Sequence, residues 1–229
     1  MEIIYHGHSC IQMTTGNKSL IIDPFLRGNE LAVTKAEDIR TDAVLLTHAH
    51  TDHILDADLI AKNNDAPVVA IAELAAYMSW KGVKTIDMNI GGTVDLGFAK
   101  AKMVQAFHSS GIVLEEEQRI VYAGMPAGFI INMEGMNILH AGDTALFSDM
   151  KMIGERHAID IAFLPIGDRY TMGMEDALQA AEWYNAKRVV PIHYNTFPFI
   201  RQEAERFVQE LHHKGIDGFV LKPGDKMSV

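Results

Sequence analysis

The sequence predicts an α/β protein in which two β-sheets pack face to face with helices on their outer sides, a four-layer αββα sandwich. Two observations carry this expectation. Short β-type runs lead each half of the 229-residue chain and helical periodicity follows them, and several of those runs end at a histidine or an aspartate. A site assembled from separate segments that all end β runs at a polar residue calls for sheets whose edges meet, which a sandwich provides.

In order along the chain, Ile3–His6, Cys10–Thr14 and Ser19–Asp23 read as strands, with Thr15-Gly16-Asn17-Lys18 as the hairpin turn between the second and third. The apolar run Ala43-Val44-Leu45-Leu46 leads directly into Thr47-His48-Ala49-His50-Thr51-Asp52-His53. Ile54–Asn63 has helical spacing at Leu55, Leu59 and Ile60, Val68–Ile71 reads as a buried strand, and Glu73–Lys81 as a second helix. Asn89-Ile90-Gly91-Gly92 is a turn between two further strand-like runs. Ala99–His108 and Arg119–Asn132 are again β, and Met133-Glu134-Gly135-Met136 closes a hairpin into Asn137–Ala141. In the last third, Ile159–Pro165, Arg188–Pro191 and Gly218–Leu221 are short β runs separated by helical segments around Glu175–Tyr184 and Gln202–Lys214.

Residues 1–229 read as one domain, because no Pro/Gly/Ser-rich linker, like-charge block, low-complexity tract or internal repeat interrupts them. Apolar residues make up 48% of the chain, enough for a sizeable core. A net charge of −10 with 20 scattered Lys and Arg argues against a nucleic-acid partner, which needs clustered basic residues. Met1–His6 contains no basic segment followed by a long apolar one, and no run spans a bilayer, so the expectation is a cytoplasmic protein without a membrane partner. Cys10 has no second cysteine to pair with and reads as core. Mean hydropathy of +0.03 and the helices carrying Trp80 and Trp183 leave room for a homo-oligomer.

The heptad from Thr47 to His53 points to metal. Imidazole and carboxylate are ligands that divalent Zn, Mn, Fe or Ni accept, and a strand ending in such a cluster delivers all of them at one sheet edge. One loop cannot fill a metal cluster of this kind, so the remaining donors must come from other strand ends. His108 follows Met103–Phe107, Asp143 follows Leu139-His140-Ala141-Gly142, and His193 follows Val189–Ile192. His140 reads as a core histidine, and His6, His157, His212 and His213 as surface or packing residues. The 13 methionines read as core filler, since no Met cluster accompanies the histidines.

His48-x-His50-x-Asp52-His53 followed by His108, Asp143 and His193 resembles the ligand series of the metallo-β-lactamase superfamily, and Asp23 in Ile21-Ile22-Asp23-Pro24 resembles its early aspartate. Tyr5-His6-Gly7-His8-Ser9, His140–Thr144, Leu164–Asp168 and His193–Pro198 look like the bacterial and archaeal metal-dependent hydrolases of that superfamily, a group related to ascorbate-phosphate lactonases. The resemblance spans nearly the whole chain and implies the metallo-β-lactamase fold. It implies two divalent ions, Zn first and Mn, Fe or Ni as alternatives: His48, His50 and His108 on one, Asp52, His53 and His193 on the other, and Asp143 bridging both. Asp23 would hold a ligand imidazole in its tautomer, and His8 would either support a ligand or pack in the core. Asp52 would open the helix after the cluster, where the helix dipole favours a carboxylate.

The implied chemistry is hydrolysis. Two ions roughly 3.5 to 4 Å apart share a water and lower its pKa, giving hydroxide as nucleophile, with Asp52 or a second water returning a proton to the leaving group. Serine or cysteine nucleophiles have no support, because no Gly-x-Ser-x-Gly elbow is present. Substrate contacts are expected from the loops Phe25–Glu30, Ser109–Ile112, Asp168–Met172 and Tyr194–Pro198, with Arg169, Tyr170, Tyr194 and Asn195 as named candidates. The expected substrate is a small anionic ester or lactone. A phosphodiester is the second reading, and a metal-dependent binding protein without turnover is the reading from another class. A nuclease is disfavoured by the lack of a basic surface, and an oxygen- or nitric-oxide-reducing diiron protein by His50 and the chain length.

Overall fold

The computed structural model describes residues 1–229 and consists of two seven-stranded mixed sheets, a separate two-stranded ribbon, and six helices. The first sheet is formed by β1 (Glu2–Gly7), β2 (Cys10–Thr15), β3 (Lys18–Ile22), β4 (Ala43–Leu45), β5 (Val68–Ile71) and β6 (Thr85–Met88). Its helices are α1 (Thr51–Ile54), α2 (Ala57–Asn64) and α3 (Ala72–Trp80). The second sheet takes β7 (Thr93–Asp95) and β8 (Lys100–Gln105), then leaves the ribbon β9 (Gly111–Leu114) and β10 (Arg119–Tyr122) to one side. It resumes with β11 (Ala127–Met133), β12 (Met136–His140), α4 (Asp149–Arg156), β13 (Ile161–Pro165), α5 (Met174–Trp183), β14 (Arg188–Ile192), α6 (Ala204–His213) and β15 (Asp217–Gly218). β16 (Lys226–Ser228) then returns to the first sheet and pairs antiparallel with β1.

The sheet orders are β16-β1-β2-β3-β4-β5-β6 and β15-β14-β13-β12-β11-β8-β7. Period-two alternation sorts the side chains into layers. Phe129, Ile131, Ile138, Phe163, Val190 and Ile192 join Ile3, Tyr5, Ile11, Met13, Leu20 and Ile22 in one cluster between the sheets. Their neighbours Ile130, Leu139, Ala162, Leu164 and Val189 face the other way and pack with Ala177, Ala180, Phe207 and Leu211 of α5 and α6. Residues of α2 and α3 such as Ile60, Leu74 and Met78 extend the first cluster. The four layers expected from the sequence are therefore present.

Direction in the sheets places the site. β1 and β3 both run antiparallel to β2, and β4 runs parallel to β3, so all three point the same way. β8 and β12 both run antiparallel to β11, and β13 and β14 follow β12 in parallel. The carboxyl ends of β1, β3 and β4 on one sheet, and of β8, β12, β13 and β14 on the other, lead into His8, Asp23, the Thr47–His53 segment, His108, Asp143, Arg169 and His193. Ligands of open α/β sheets gather at such ends.

Several elements differ from expectation, each for a local reason. The helix expected over Ile54–Asn63 is interrupted between α1 and α2, because the Asp56 backbone N–H donates to the Pro24 carbonyl at 3.1 Å, outside the helix, while its carboxylate accepts the N–H of Leu26 at 2.7 Å and of Arg27 at 3.0 Å. The run Arg119–Asn132 divides at Gly124, whose φ of +85° only glycine adopts readily, and at Pro126, which has no N–H for a ladder. β9 falls where a substrate loop was expected, and β16 is too short to show periodicity. Gly218–Leu221 contributes only the bridge Asp217–Gly218 to the sheet. Helix α4 was not expected from the sequence; its Gly154 lets α4 approach α5 so closely that a Cβ would lie 2.3 Å from the Trp183 carbonyl oxygen. Cys10 and His140 are buried, as read from the sequence, and no helix is long and apolar enough to cross a membrane.

Candidate metal centre

Two groups of donors stand side by side at the joined carboxyl ends of the strands. In the first, His48 Nε2 lies 3.0 Å from His50 Nδ1, and His108 Nε2 lies 3.3 Å from the same atom. In the second, His53, Asp52, His193 and His8 bring their ligand atoms within 4.8 Å of one another. Asp143 sits between them. Its Oδ2 is 3.0 Å from His193 Nε2 and 3.4 Å from His53 Nε2 on one side, 3.7 Å from His108 Nε2 and 4.0 Å from His48 Nε2 on the other.

The segments that deliver these groups are held in unusual backbone. His8, Asp23 and His193 have positive φ of 54°, 48° and 54°. Side chains rarely adopt that region, and strain of this sort collects at functional sites. Gly142, at φ +64°, lets the chain turn just before Asp143; a Cβ there would be 2.4 Å from the Ala127 carbonyl oxygen. The His193 N–H donates to the His8 carbonyl at 2.8 Å, tying the two sheets together beneath the cluster.

Hydrogen bonds around the cluster fix which ring nitrogen faces inward. His53 Nδ1 donates to Asp23 Oδ2 at 2.8 Å, so its Nε2 is the nitrogen turned to the cluster. Thr47 donates its hydroxyl to the same Asp23 oxygen at 2.6 Å and its backbone N–H to Asp23 Oδ1 at 2.8 Å. With its proton committed, the Thr47 oxygen accepts from His48 Nδ1 at 3.0 Å, which frees His48 Nε2 in turn. One carboxylate thus sets two imidazoles, the role that metal-bound histidines usually assign to such a partner. His8 Nε2 donates to Asp52 Oδ2 at 3.0 Å while its Nδ1 accepts from the Thr196 hydroxyl at 2.9 Å.

This donor set fits bound divalent metal. His53 Nε2 and Asp143 Oδ1 are buried with no hydrogen-bond partner, which nature seldom leaves uncompensated. The Nε2 atoms of His48 and His108 converge on His50 Nδ1 at 3.0 and 3.3 Å, a gathering of three imidazole nitrogens that a cation can share. The donors are nitrogen and oxygen only, which suits Zn, Mn, Fe or Ni.

Electrostatics agree with the geometry. Burial, with His53 nearby, holds His48 well below the ordinary imidazole range, and burial lowers His50 and His108, so all three stay neutral and able to ligate. Burial would do the same to His53 and His193, but Asp143 overrides it and pushes His53 well above its usual value and His193 up to about 9. Burial works against ionised Asp143 and Asp52, yet the neighbouring imidazoles hold both well below the carboxylate range. The second group is a place where positive charge is strongly favoured. His8, buried and next to His193, drops to about 4 and remains neutral.

The expected substrate residues separate into two kinds. The Arg169 guanidinium lies 5.6 Å over the Tyr170 ring and 5.3 Å over Phe199, at the end of an aromatic row. Phe199 stacks on Phe197 at 5.7 Å, Phe197 meets Phe25 at 6.2 Å, and both Phe25 and Phe197 edge onto His8. Tyr194 instead packs in the cluster beneath α5 and α6, and Asn195 Oδ1 accepts the Gln202 N–H at 2.9 Å, so these two brace the loop rather than line the site. Thr47, Thr196 and Ser109 lie in segments that the sequence singles out, the heptad and two expected substrate loops, but sequence reasoning gave their side chains no role. The hydroxyls of Thr47 and Thr196 complete the network, and that of Ser109 is 3.3 Å from His50 Nε2.

Comparison with known proteins gives a consistent picture. Residues 19–194 match the family described as the β-lactamase superfamily domain. A UPF0173 metal-dependent hydrolase of Geobacillus thermodenitrificans is 55% identical over 229 residues, covering 100% of both chains. One from Anoxybacillus flavithermus is 54% identical over the same 229 residues, again 100% of each. Among solved structures, the metallo hydrolase Igni18 of the archaeon Ignicoccus hospitalis superposes with a TM-score of 0.89 at 36% identity, covering 99% of this chain and 97% of that one.

Proposed function

The chain belongs to the β-lactamase superfamily of metal-dependent hydrolases, and from that premise we propose that it hydrolyses a small ester or lactone at a two-metal site. The observation that carries the proposal is the position of Asp143, one carboxylate oxygen facing four imidazole Nε2 atoms of both donor groups at 3.0 to 4.0 Å. His48, His50 and His108 would hold one ion, Asp52, His53 and His193 the other, and Asp143 both. Divalent ions bound there, zinc in first place, would supply Lewis acidity, which lowers the pKa of bound water towards neutrality and polarises a carbonyl.

The remaining work falls to this chain's own side chains. Asp52 is the more exposed of the two site carboxylates, 28% against 3% for Asp143, and is open to a leaving group. As a carboxylate it is the group placed to take the proton that the attacking water gives up and pass it to the leaving group, while the His8 N–H keeps it oriented. Phe25 and Phe197 shield that hydrogen bond from water. Arg169, steadied against Tyr170 and Phe199 at the end of the aromatic row that reaches His8, would supply a cation for an anionic substituent on the substrate.

Metal analysis and a substrate panel test the proposal. Protein loaded with Zn or Mn should bind two equivalents and cleave esters or lactones, and Asp143→Asn should lose both the second equivalent and turnover. Undiminished turnover by purified Asp143→Asn sinks the bridging role. Cleavage of phosphodiesters alone moves the assignment to a phosphodiesterase, and bound metal with no hydrolysis across esters, lactones, thioesters and phosphodiesters makes the protein a binder.

A further inference from the structure

The ribbon formed by β9 and β10 pairs only with itself, and its register pairs Val113 with Ile120, Ile112 with Val121 and Gly111 with Tyr122. Cross-strand partners share a face. Ile112 and Val121 face inward and pack on the core between the sheets. The opposite face should then be polar, as in most half-solvated antiparallel pairs. It is not: Val113 is 53%, Ile120 73% and Tyr122 66% exposed, and Met125 just beyond is 49% exposed.

These four side chains form one wall of a cleft of about 640 Å³ whose floor is His50 and His108. That volume lies within the roughly 300 to 1,000 Å³ typical of small-molecule sites. No Lys, Arg, Asp or Glu lines it. Gly111, opposite Tyr122, leaves the inner part open, since a Cβ there would press to 3.2 Å from Ile120 Cγ2. The three consecutive glutamates Glu115–Glu117 cap the far end of the ribbon and disfavour an anionic occupant there. A contiguous apolar patch on a small ribbon, open to solvent and ending at two imidazoles of the metal centre, has the form of a ligand groove.

We infer that this cleft binds the uncharged apolar arm of the substrate, an alkyl or aryl acyl group, with the scissile carbonyl at the His50/His108 end and any anionic substituent on the Arg169 side. The inference rests on the hydrolase reading and adds to it a substrate class, carbonyl esters or lactones with an extended apolar chain. A polar or compact substrate would leave the ribbon's outer face without purpose.

The test compares linear acyl esters of one leaving group, from acetyl to octanoyl, with metal-loaded protein. The expected result is a rise in kcat/KM of about twofold per methylene until the cleft is full, half of the fourfold that complete burial of a methylene gives. Ile120→Ser should collapse the octanoyl-to-acetyl ratio by about tenfold, and Val113→Ser, on the same face, should lower it in the same direction. A flat series overturns the inference. So does an unchanged ratio in Ile120→Ser accompanied by a change from dimer to monomer in sedimentation, which would show that a second copy covers the ribbon. If no ester is cleaved, the hydrolase reading fails by itself, and calorimetry with octanoate decides the cleft: binding that Ile120→Ser weakens supports the inference, and no binding in the wild type overturns it.

Discussion

The Nδ1 atom of His53 lies 2.8 Å from Oδ2 of Asp23, and neither side chain has any exposed surface. Asp23 is in turn anchored by both the N–H and the hydroxyl of Thr47, so the orientation of His53 is inherited from the end of β3 and the start of the histidine segment. Replacing Asp23 with Asn keeps the shape but substitutes an amide that cannot serve all three donors. Metal affinity should fall about 10- to 100-fold, the usual effect of losing a ligand's supporting acceptor. Competition with a chromogenic chelator measures this. Affinity within a factor of two of wild type would mean that His53 is oriented by other contacts.

Metal should also stabilise the fold. Asp143 Oδ1 and His53 Nε2 are buried without partners, and a cation that binds only the native state compensates both. At a free metal concentration 100 times Kd the gain is about 2.7 kcal/mol per site. For a chain of this length each kcal/mol moves Tm by roughly 2 to 4 °C, so one filled site should raise it by about 5 to 11 °C. Scanning calorimetry with and without Zn, followed by chelator, reads this directly. A Tm indifferent to metal would remove the cation from the account of the cluster.

Much of this arrangement was legible in the sequence, and the physical reason is local. Strand ends are where a period-two apolar run stops, and a His or Asp placed there is visible from the run itself, as at Leu46–Thr47, Ile192–His193 and Ile22–Asp23. The proposed division of ligands between two ions is not visible in that way; it rests on the likeness to a known family. What stayed hidden depends on distant contacts. The helix breaks at Asp56 because its N–H goes to the Pro24 carbonyl and its oxygens to Leu26 and Arg27, about thirty positions earlier. Thr196 matters because His8 arrives from 188 positions away, and Tyr194, beside His193, turns into the core. The outer face of the β9 and β10 ribbon could not be recognised as exposed, since apolar residues on both faces look the same in sequence whether covered or open.

His140 provides a test of stability against pH away from the ligands themselves. Its Nε2 donates to the Ser9 carbonyl at 2.8 Å and its Nδ1 accepts the Gly142 N–H at 3.2 Å, so the neutral ring is the form that both bonds require. Burial accordingly lowers its pKa below 6.5. His6, whose Nε2 meets Gln12 Oε1 at 3.0 Å, is lowered by burial too. Both contributions are complete above pH 6.5, where folded and unfolded chains are alike neutral. As pH falls below 6.5 the unfolded chain takes up protons that the folded one refuses, so stability drops by up to about 1.4 kcal/mol per pH unit for each histidine until the folded pKa is reached. Urea midpoints of metal-free protein should therefore fall between pH 7 and pH 5. For His140 itself, the ring carbon and proton shifts should show no titration near 6.5; a normal titration there would contradict the assigned bonds.

Asp56 and Arg27 separate an ion pair from a backbone anchor. The Asp56 carboxylate is fully buried and accepts the N–H groups of Leu26 and Arg27 as well as the Arg27 guanidinium, while the Arg27 side chain is half exposed. An exposed guanidinium adds little, commonly below about 1 kcal/mol. A buried N–H left without its acceptor costs about 1 to 3 kcal/mol. Asp56→Ala should thus lose on the order of 2 to 4 kcal/mol and Arg27→Ala less than about 1 kcal/mol, judged by urea denaturation. Asp56→Ala should further release the turn that sets Phe25 against His8, 5.5 Å between ring centroids, and so weaken the shield over the bond from His8 to Asp52. Equal losses in the two variants would show that the charge pair, and not the backbone, is what Asp56 holds.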